Sequence, residues 1–117
     1  MIDQSLKFDR TPSVLVEVAA NYSQVFARVE PADICEGGIL MRTPDTIPQT
    51  TEVSLRFVLP LSPQGVEINA GGVVAREVPD VGMAIVFMNL REDQRQAIAR
   101  FVDEVSKSPA PTLEIRP

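Results

Sequence analysis

The stretch Asp33-Ile34-Cys35-Glu36-Gly37-Gly38 divides two apolar, strand-like segments at residues 25–29 and 39–41. An acidic residue, a small residue two places later and a glycine three places beyond it are typical of a sharp change in chain direction. Gly37 and Gly38 are able to take a positive φ or to let another main-chain segment approach closely. The stretch therefore predicts a turn between two strands, and the other strands are counted outward from it.

The segments on both sides of this turn show the alternation of apolar and polar residues that is typical of β-strands. The clearest case is residues 51–59, in which every second residue from Val53 onward is apolar. Residues 83–88 are apolar almost throughout, which predicts a central and buried strand. Gly71 and Gly72 fall inside a long β-rich segment and predict a bulge or bend there. Six strands are predicted in all, at residues 13–20, 25–32, 39–42, 51–59, 66–78 and 83–88.

The C-terminal part of the chain predicts one amphipathic helix near residues 90–105. Asn89 is a good N-cap, and Glu92 stands three residues later, where a capping box places its acidic side chain. Residues 106–117 contain three prolines and are expected to form an extended tail. We expect a mostly β fold, a six-stranded antiparallel β-barrel with one C-terminal amphipathic α-helix, in a single domain spanning residues 1–105, of which residues 1–12 form an N-terminal arm. Apolar residues recur at helical spacing and form one stripe: Leu90, Ala97, Ile98, Phe101, Val102 and Val105.

Composition limits the functions that the chain can have. Its 117 residues are enough for one domain, and a hydrophobic content of 44% is ordinary for a folded protein. Histidine, the commonest general base and metal ligand, is absent, and a single cysteine provides neither a zinc-binding pattern nor an internal disulfide. No pair of carboxylates stands in a catalytic motif. We therefore expect a protein that is not an enzyme and that uses neither a metal nor a cofactor.

Charge and hydropathy indicate the classes of partner and the cellular compartment that suit the chain. The 16 acidic and 11 basic residues give a net charge of −5, which disfavours nucleic acid and anionic lipid as partners. No apolar stretch approaches the ~20 residues that span a bilayer. The first residues also lack the basic and apolar regions of a signal peptide. We expect a cytoplasmic protein without membrane insertion, since a lone cysteine suits a reducing compartment.

In its motifs and its order of elements, the sequence resembles the PilZ domain family. Asp33, Cys35 and Gly38 stand at the three fixed places of the family motif Asp/Asn-x-Ser-x-x-Gly, which joins the second and third strands. The segments VSLRFVLP, VVAREV and GMAIVFMNL and the helix extend the likeness to about residue 105. The resemblance implies a six-stranded barrel with a C-terminal helix, and many family members bind the second messenger cyclic di-GMP. The chain is similar in particular to PilZ-like proteins associated with bacterial surface motility.

Two departures from the family motifs bear on ligand binding. Cys35 stands where the family has serine, and Leu6 stands where it has the first arginine, four residues before Arg10. Lys7 is next to that place, but a lysine cannot make the forked contact of an arginine. The resemblance implies that Arg10 would clamp a phosphate or stack on guanine and that Asp33 would accept from the guanine N1 and N2 donors. The residues alone also allow roles without a ligand: Arg10 as a solvated charge, Asp33 as a turn residue and Cys35 as a half-buried packing residue.

These residues give two hypotheses. The first is a degenerate PilZ-like adaptor that binds other signalling or motility proteins, with weak or no affinity for cyclic di-GMP. The second is a genuine cyclic di-GMP receptor that uses Arg10, Asp33 and Gly38. The candidate ligand-binding residues are Lys7, Arg10, Asp33, Cys35 and Gly38, and no catalytic or metal-binding residue is predicted.

Overall fold

The computed structural model describes residues 13–61 and 63–107. The predicted N-terminal arm, residues 1–12, and most of the predicted proline-rich tail lie outside the described residues. The strands are Val14–Ala19 (β1), Gln24–Val29 (β2), Ile34–Cys35 (β3), Gly38–Arg42 (β4), Glu52–Leu59 (β5), Val66–Val78 (β6) and Gly82–Met88 (β7), followed by the helix Glu92–Lys107 (α1). These seven strands form one antiparallel sheet in the order β2-β1-β5-β6-β7-β4-β3.

The predicted fold class is confirmed, but the strand count of six is wrong. The additional strand is β3, whose two residues belong to the stretch that was predicted to be a turn. Ile34 pairs with Ile39 and Cys35 pairs with Gly38, so the turn itself is only Glu36-Gly37. The sheet curls until β2 approaches β4, but among the described strands β2 and β3 remain its edges, which makes it a half-barrel.

The core lies inside this curl and is mainly aliphatic. The alternation predicted for β5 is confirmed, because all four of its inward-facing side chains are buried while their neighbours are exposed. β1 follows the same rule with three buried valines. Burial of apolar side chains on one face of each strand fixes the register, since a slip by one residue would turn that face toward water. The buried residues of these two strands are Val14, Val16, Val18, Val53, Leu55, Phe57 and Leu59.

The two glycines inside β6 do not form the predicted bulge. Gly71 and Gly72 stay in register with both neighbouring strands, and the irregularity lies between Val74 and Arg76. A Cβ at Gly72 would come within 2.8 Å of the Val86 carbonyl oxygen. The glycine is therefore required by close packing of adjacent strands rather than by a bend.

Strand β7 is central in the sheet, as predicted, but it is buried on one face only. Met83 and Ile85 point into the core, whereas Val86 and Met88 are each 44% exposed. The prediction of a fully buried strand is therefore wrong. In the described part of the chain, no helix covers the outer face of this strand.

Helix α1 begins two residues later than predicted, and its cap is different. Asn89 has a φ of 59°, and the carbonyl of Arg91 accepts the first helical hydrogen bond, from the Arg95 N–H at 2.9 Å. The Arg91 N–H donates to Oε1 of Gln94 at 3.1 Å, so Gln94 makes the return contact that was predicted for Glu92. Nε2 of the buried Gln94 also donates to the Asn69 carbonyl at 2.9 Å, which ties the start of the helix to β6.

The predicted apolar stripe is confirmed for its five residues within α1, whereas Leu90 precedes the helix. Ile98 and Phe101 are fully buried, and the remaining stripe residues are partly buried against the core. Through this stripe the helix packs against β5, against β3 and against the one-turn 3₁₀ helix Pro31–Asp33 that precedes β3. The helix thus supports the motif stretch from the inside of the fold.

Candidate functional site

The motif stretch forms a short hairpin at the edge of the sheet. The predicted second strand ends at Val29, earlier than expected, and the chain then makes the 3₁₀ helix Pro31–Asp33. Ile34 is buried beneath the hairpin, while the Gly37 carbonyl accepts a hydrogen bond of 2.9 Å from the Phe87 N–H of β7. The backbone of the motif is therefore fixed by packing below it and by main-chain pairing beside it.

Asp33 is held by a side chain that the sequence interpretation missed, Arg42 at the end of β4. Nε of Arg42 donates to Oδ2 of Asp33 at 2.8 Å, and Nη2 donates to Oδ1 at 3.3 Å. The Asp33 side chain is only 13% exposed, whereas that of Arg42 is 59% exposed. The hydrogen bond to Asp33 and its negative charge raise the pKa of Arg42 above its ordinary value. Asp33 thus has a forked, charge-assisted partner within the fold.

The hairpin register explains how this pair forms. Because Ile34 pairs with Ile39, the register continued by one residue sets Asp33 opposite Leu40, with Arg42 two residues farther along β4. Diagonal neighbours of this kind lie within reach of long side chains. Recognition of residues 33–42 as a hairpin would have provided the sequence signal for Arg42.

Gly38 is required by the sheet itself. A Cβ at this position would lie 2.2 Å from the Ile85 carbonyl oxygen and 3.2 Å from the Val86 Cα. Neither Gly37 nor Gly38 has a positive φ, so close approach of β7, and not an unusual backbone conformation, explains the glycine at position 38. Its presence is accounted for without a ligand.

Cys35 does not occupy the half-buried packing position that was one interpretation of the sequence. Its side chain is exposed, because the inward position of this two-residue strand belongs to Ile34. A thiol is a weaker hydrogen-bond donor than the serine hydroxyl of the family motif. The position is therefore open to a ligand, but with poor hydrogen-bonding capacity.

Three of the five candidate residues line one shallow groove of about 390 Å³, formed by the 3₁₀ helix, β3, β4 and β7. Asp33, Cys35 and Gly38 meet there, and most of the remaining wall is aliphatic or main chain. Lys7 and Arg10, like Leu6, lie outside the described residues. The groove is lined by Ala32, Asp33, Ile34, Cys35, Gly37, Gly38, Ile39, Leu40, Ala84, Ile85 and Val86.

A second surface, on the outer face of β1, β2 and β5, carries three exposed apolar side chains. Leu15, Phe26 and Val58 are 50%, 54% and 54% exposed and line a depression of about 410 Å³. Glu17 lies opposite both Phe26 and Arg56 in the register and pairs with Arg56 at 2.9 Å, so each of these two charges has a partner on this surface. We name this surface the β1–β2–β5 face.

The part of the chain that the structure describes contains neither a metal-binding cluster nor a membrane-spanning helix. Within residues 13–61 and 63–107, no three histidine, cysteine or acidic side chains gather as a metal site would require. In the same residues, α1 is neither apolar nor long enough for a transmembrane span.

Comparison with known proteins identifies a family and solved structures of similar fold. The PilZ domain family model matches residues 7–104. The structure of the Bacillus subtilis inhibitor of motility (MotI/DgrA) is similar with a TM-score of 0.62 and 16% sequence identity, which shows a shared fold. The match covers 83% of this chain and 49% of that one, so the chain spans about half the length of the motility inhibitor. No curated protein matches the sequence.

Proposed function

Because this chain belongs to the PilZ domain family, we propose that it is a non-enzymatic adaptor domain that works by binding other proteins. The processes that we assign to it are bacterial motility or regulation related to cyclic di-GMP, in the cytoplasm. The single observation that carries this proposal concerns Asp33 of the motif hairpin. Its carboxylate, which would bind guanine in a receptor, is already bound by Arg42.

Weak or absent affinity for cyclic di-GMP follows from the side chains that a ligand would meet. Leu6 cannot replace an arginine, and Cys35 offers a thiol in place of a hydroxyl. A hydrogen bond to a charged group contributes about 1.5–3 kcal/mol. Loss of the arginine contact alone should therefore weaken binding by about ten- to a hundredfold.

Electrostatics do not compensate for these losses. Cyclic di-GMP carries two negative charges, and the chain has a net charge of −5. Among the described residues that line the groove, Asp33 is the one charged side chain, and its carboxylate is already paired with Arg42. A dianion approaching this groove therefore gains no long-range attraction from the chain as a whole.

The β1–β2–β5 face supports the protein-binding part of the proposal. Leu15, Phe26 and Val58 each leave half or more of their surface in water. Contiguous apolar surface of this kind commonly marks a contact site for another protein. The internal pairing of Glu17 with Arg56 lowers the cost of covering this face with a partner.

The alternative is a genuine cyclic di-GMP receptor that uses Arg10, Asp33 and Gly38, with Lys7 in support. The common position of Asp33, Cys35 and Gly38 on one groove favours it. The two functions differ in whether the activity of the protein requires the Asp33 carboxylate.

Complementation of motility in the bacterium that carries this chain separates the two functions. We expect deletion of the gene to alter motility and the Asp33→Ala variant to restore it as well as the natural chain does. The matched control is Asp45→Ala, which removes an exposed carboxylate outside the groove. Failure of Asp33→Ala, as a folded protein, alongside full activity of Asp45→Ala would support the receptor and contradict the adaptor.

A further inference from the structure

The contact between Arg42 and Asp33 uses the same hydrogen-bonding pattern as a guanine base. In arginine, Nε–H and one Nη–H form a fork of parallel donors that matches the two oxygens of a carboxylate. The N1–H and N2–H groups of guanine form a similar fork on one edge of the base. In this structure both carboxylate oxygens of Asp33 accept from Arg42, at 2.8 and 3.3 Å.

We propose that Arg42 is an internal competitor that keeps the Asp33 carboxylate from guanine-containing ligands until Arg42 moves away. This inference rests on the assignment of Asp33 as the residue that would read guanine in the proposed function. It adds a third obstacle to ligand binding, independent of Leu6 and Cys35, because it depends on a residue outside both family motifs.

Burial and charge favour the closed arrangement. With Arg42 in place, only 13% of the Asp33 side chain is exposed, so little of the carboxylate remains for a second forked donor. Besides the hydrogen bond and the charge of Asp33, the negative charge of Glu30 also raises the pKa of Arg42. A guanine edge therefore has to displace the guanidinium rather than add to it.

The same geometry allows the contact to open. Arg42 is 59% exposed and stands at the end of β4, where its side chain can rotate into water without disturbing the core. Ion pairs at a protein surface are weak, since water screens the two charges and solvates the released guanidinium. Arg42 thus lowers the affinity of Asp33 for guanine, and displacement or substitution of Arg42 would free the carboxylate.

An opposite role for Arg42 predicts an opposite result. If Arg42 turned from Asp33 to a ligand phosphate, it would substitute for the arginine that is missing at Leu6, and its removal would weaken binding. If it competes for Asp33, its removal strengthens binding. The sign of the change therefore separates the two roles.

The test is isothermal titration of cyclic di-GMP into the full 117-residue chain carrying Leu6→Arg and Cys35→Ser, with and without Arg42→Ala. We expect Arg42→Ala to tighten binding about fivefold, the ratio that corresponds to about 1 kcal/mol for an exposed ion pair. Arg42→Lys keeps the charge but loses the fork, so it should give a smaller gain. Arg28→Ala, which removes an exposed arginine from β2, is the matched control and should leave the affinity unchanged.

The outcomes are distinguishable from those that test the proposed function. Equal or weaker binding after Arg42→Ala overturns the competitor role, as does an equal gain from Arg28→Ala. If no folded variant binds, with Arg42 present or removed, the role is overturned as well, because opening the contact gave no access. Tight binding by the natural chain contradicts the adaptor function instead. Arg42→Ala is then measured in the natural chain, where tighter binding supports the competitor role and equal or weaker binding overturns it.

Discussion

Replacement of Phe101 by alanine tests whether α1 holds the curled sheet and the motif hairpin together. The Phe101 side chain is 1% exposed and belongs to the stripe that packs against β3, β5 and the 3₁₀ helix. Truncation of a fully buried phenylalanine costs about 3–5 kcal/mol, from lost apolar burial and from the cavity that remains. A domain of this size has a total stability of about 5–15 kcal/mol, so Phe101→Ala should remove about a fifth of it or more.

Urea denaturation followed by far-UV circular dichroism measures this loss directly. The midpoint should fall while the slope m is unchanged, because the same surface is exposed on unfolding. Ser106→Ala, at an exposed position of the same helix, is the control and should change stability by less than about 0.5 kcal/mol. A loss below about 1 kcal/mol for Phe101→Ala would refute the packing of α1 described above.

Three further predictions concern the sheet, the helix start and acid stability. Gly38→Ala sets a Cβ 2.2 Å from a β7 carbonyl oxygen, so thermal melting should show a loss of about 1–3 kcal/mol; an unchanged melt would contradict this. Gln94→Ala leaves two main-chain groups without their buried partner and should cost about 1–3 kcal/mol in urea; a neutral result would argue against that cap. Hydrogen bonds from Gln24 and Arg56 lower the pKa of Glu17 below its ordinary value of 4.5. The stability that they provide is present above that value and is lost as the pH falls through the lowered pKa. Melting temperatures below pH 4.5 should therefore fall more steeply for the natural chain than for Glu17→Gln, and parallel curves would show that this pairing is unimportant.

The parts of the fold that depend on one-sided burial could be predicted from the sequence. The alternation in β5 and the stripe on α1 each identify a buried face from a single segment, and both are confirmed. The central position of β7 was also predicted, but its exposed outer face was not. Burial of a strand on its second face depends on what the rest of the chain places there, which the strand itself does not encode.

The candidate site was harder to predict because it depends on pairing between segments. A two-residue strand such as Ile34–Cys35 is too short to show a periodicity, so the sequence pattern predicts a turn where the structure has a hairpin. The contact between Asp33 and Arg42 follows only once that register is known. The helix start predicted from Asn89 is two residues too early. The cap that forms instead uses Gln94, whose role depends on its burial against β6.

The most direct test of the central claim is to repair the two motif departures and measure cyclic di-GMP binding by isothermal titration. The claim is that binding is weak because Leu6 and Cys35 replace an arginine and a serine. The natural chain should show no strong binding, and Leu6→Arg with Cys35→Ser should bind about a hundredfold more tightly, at about 1–3 kcal/mol for each regained contact. Addition of Asp33→Ala should abolish the gain. Tight binding by the natural chain, or no gain in the well-folded double variant, would contradict the account.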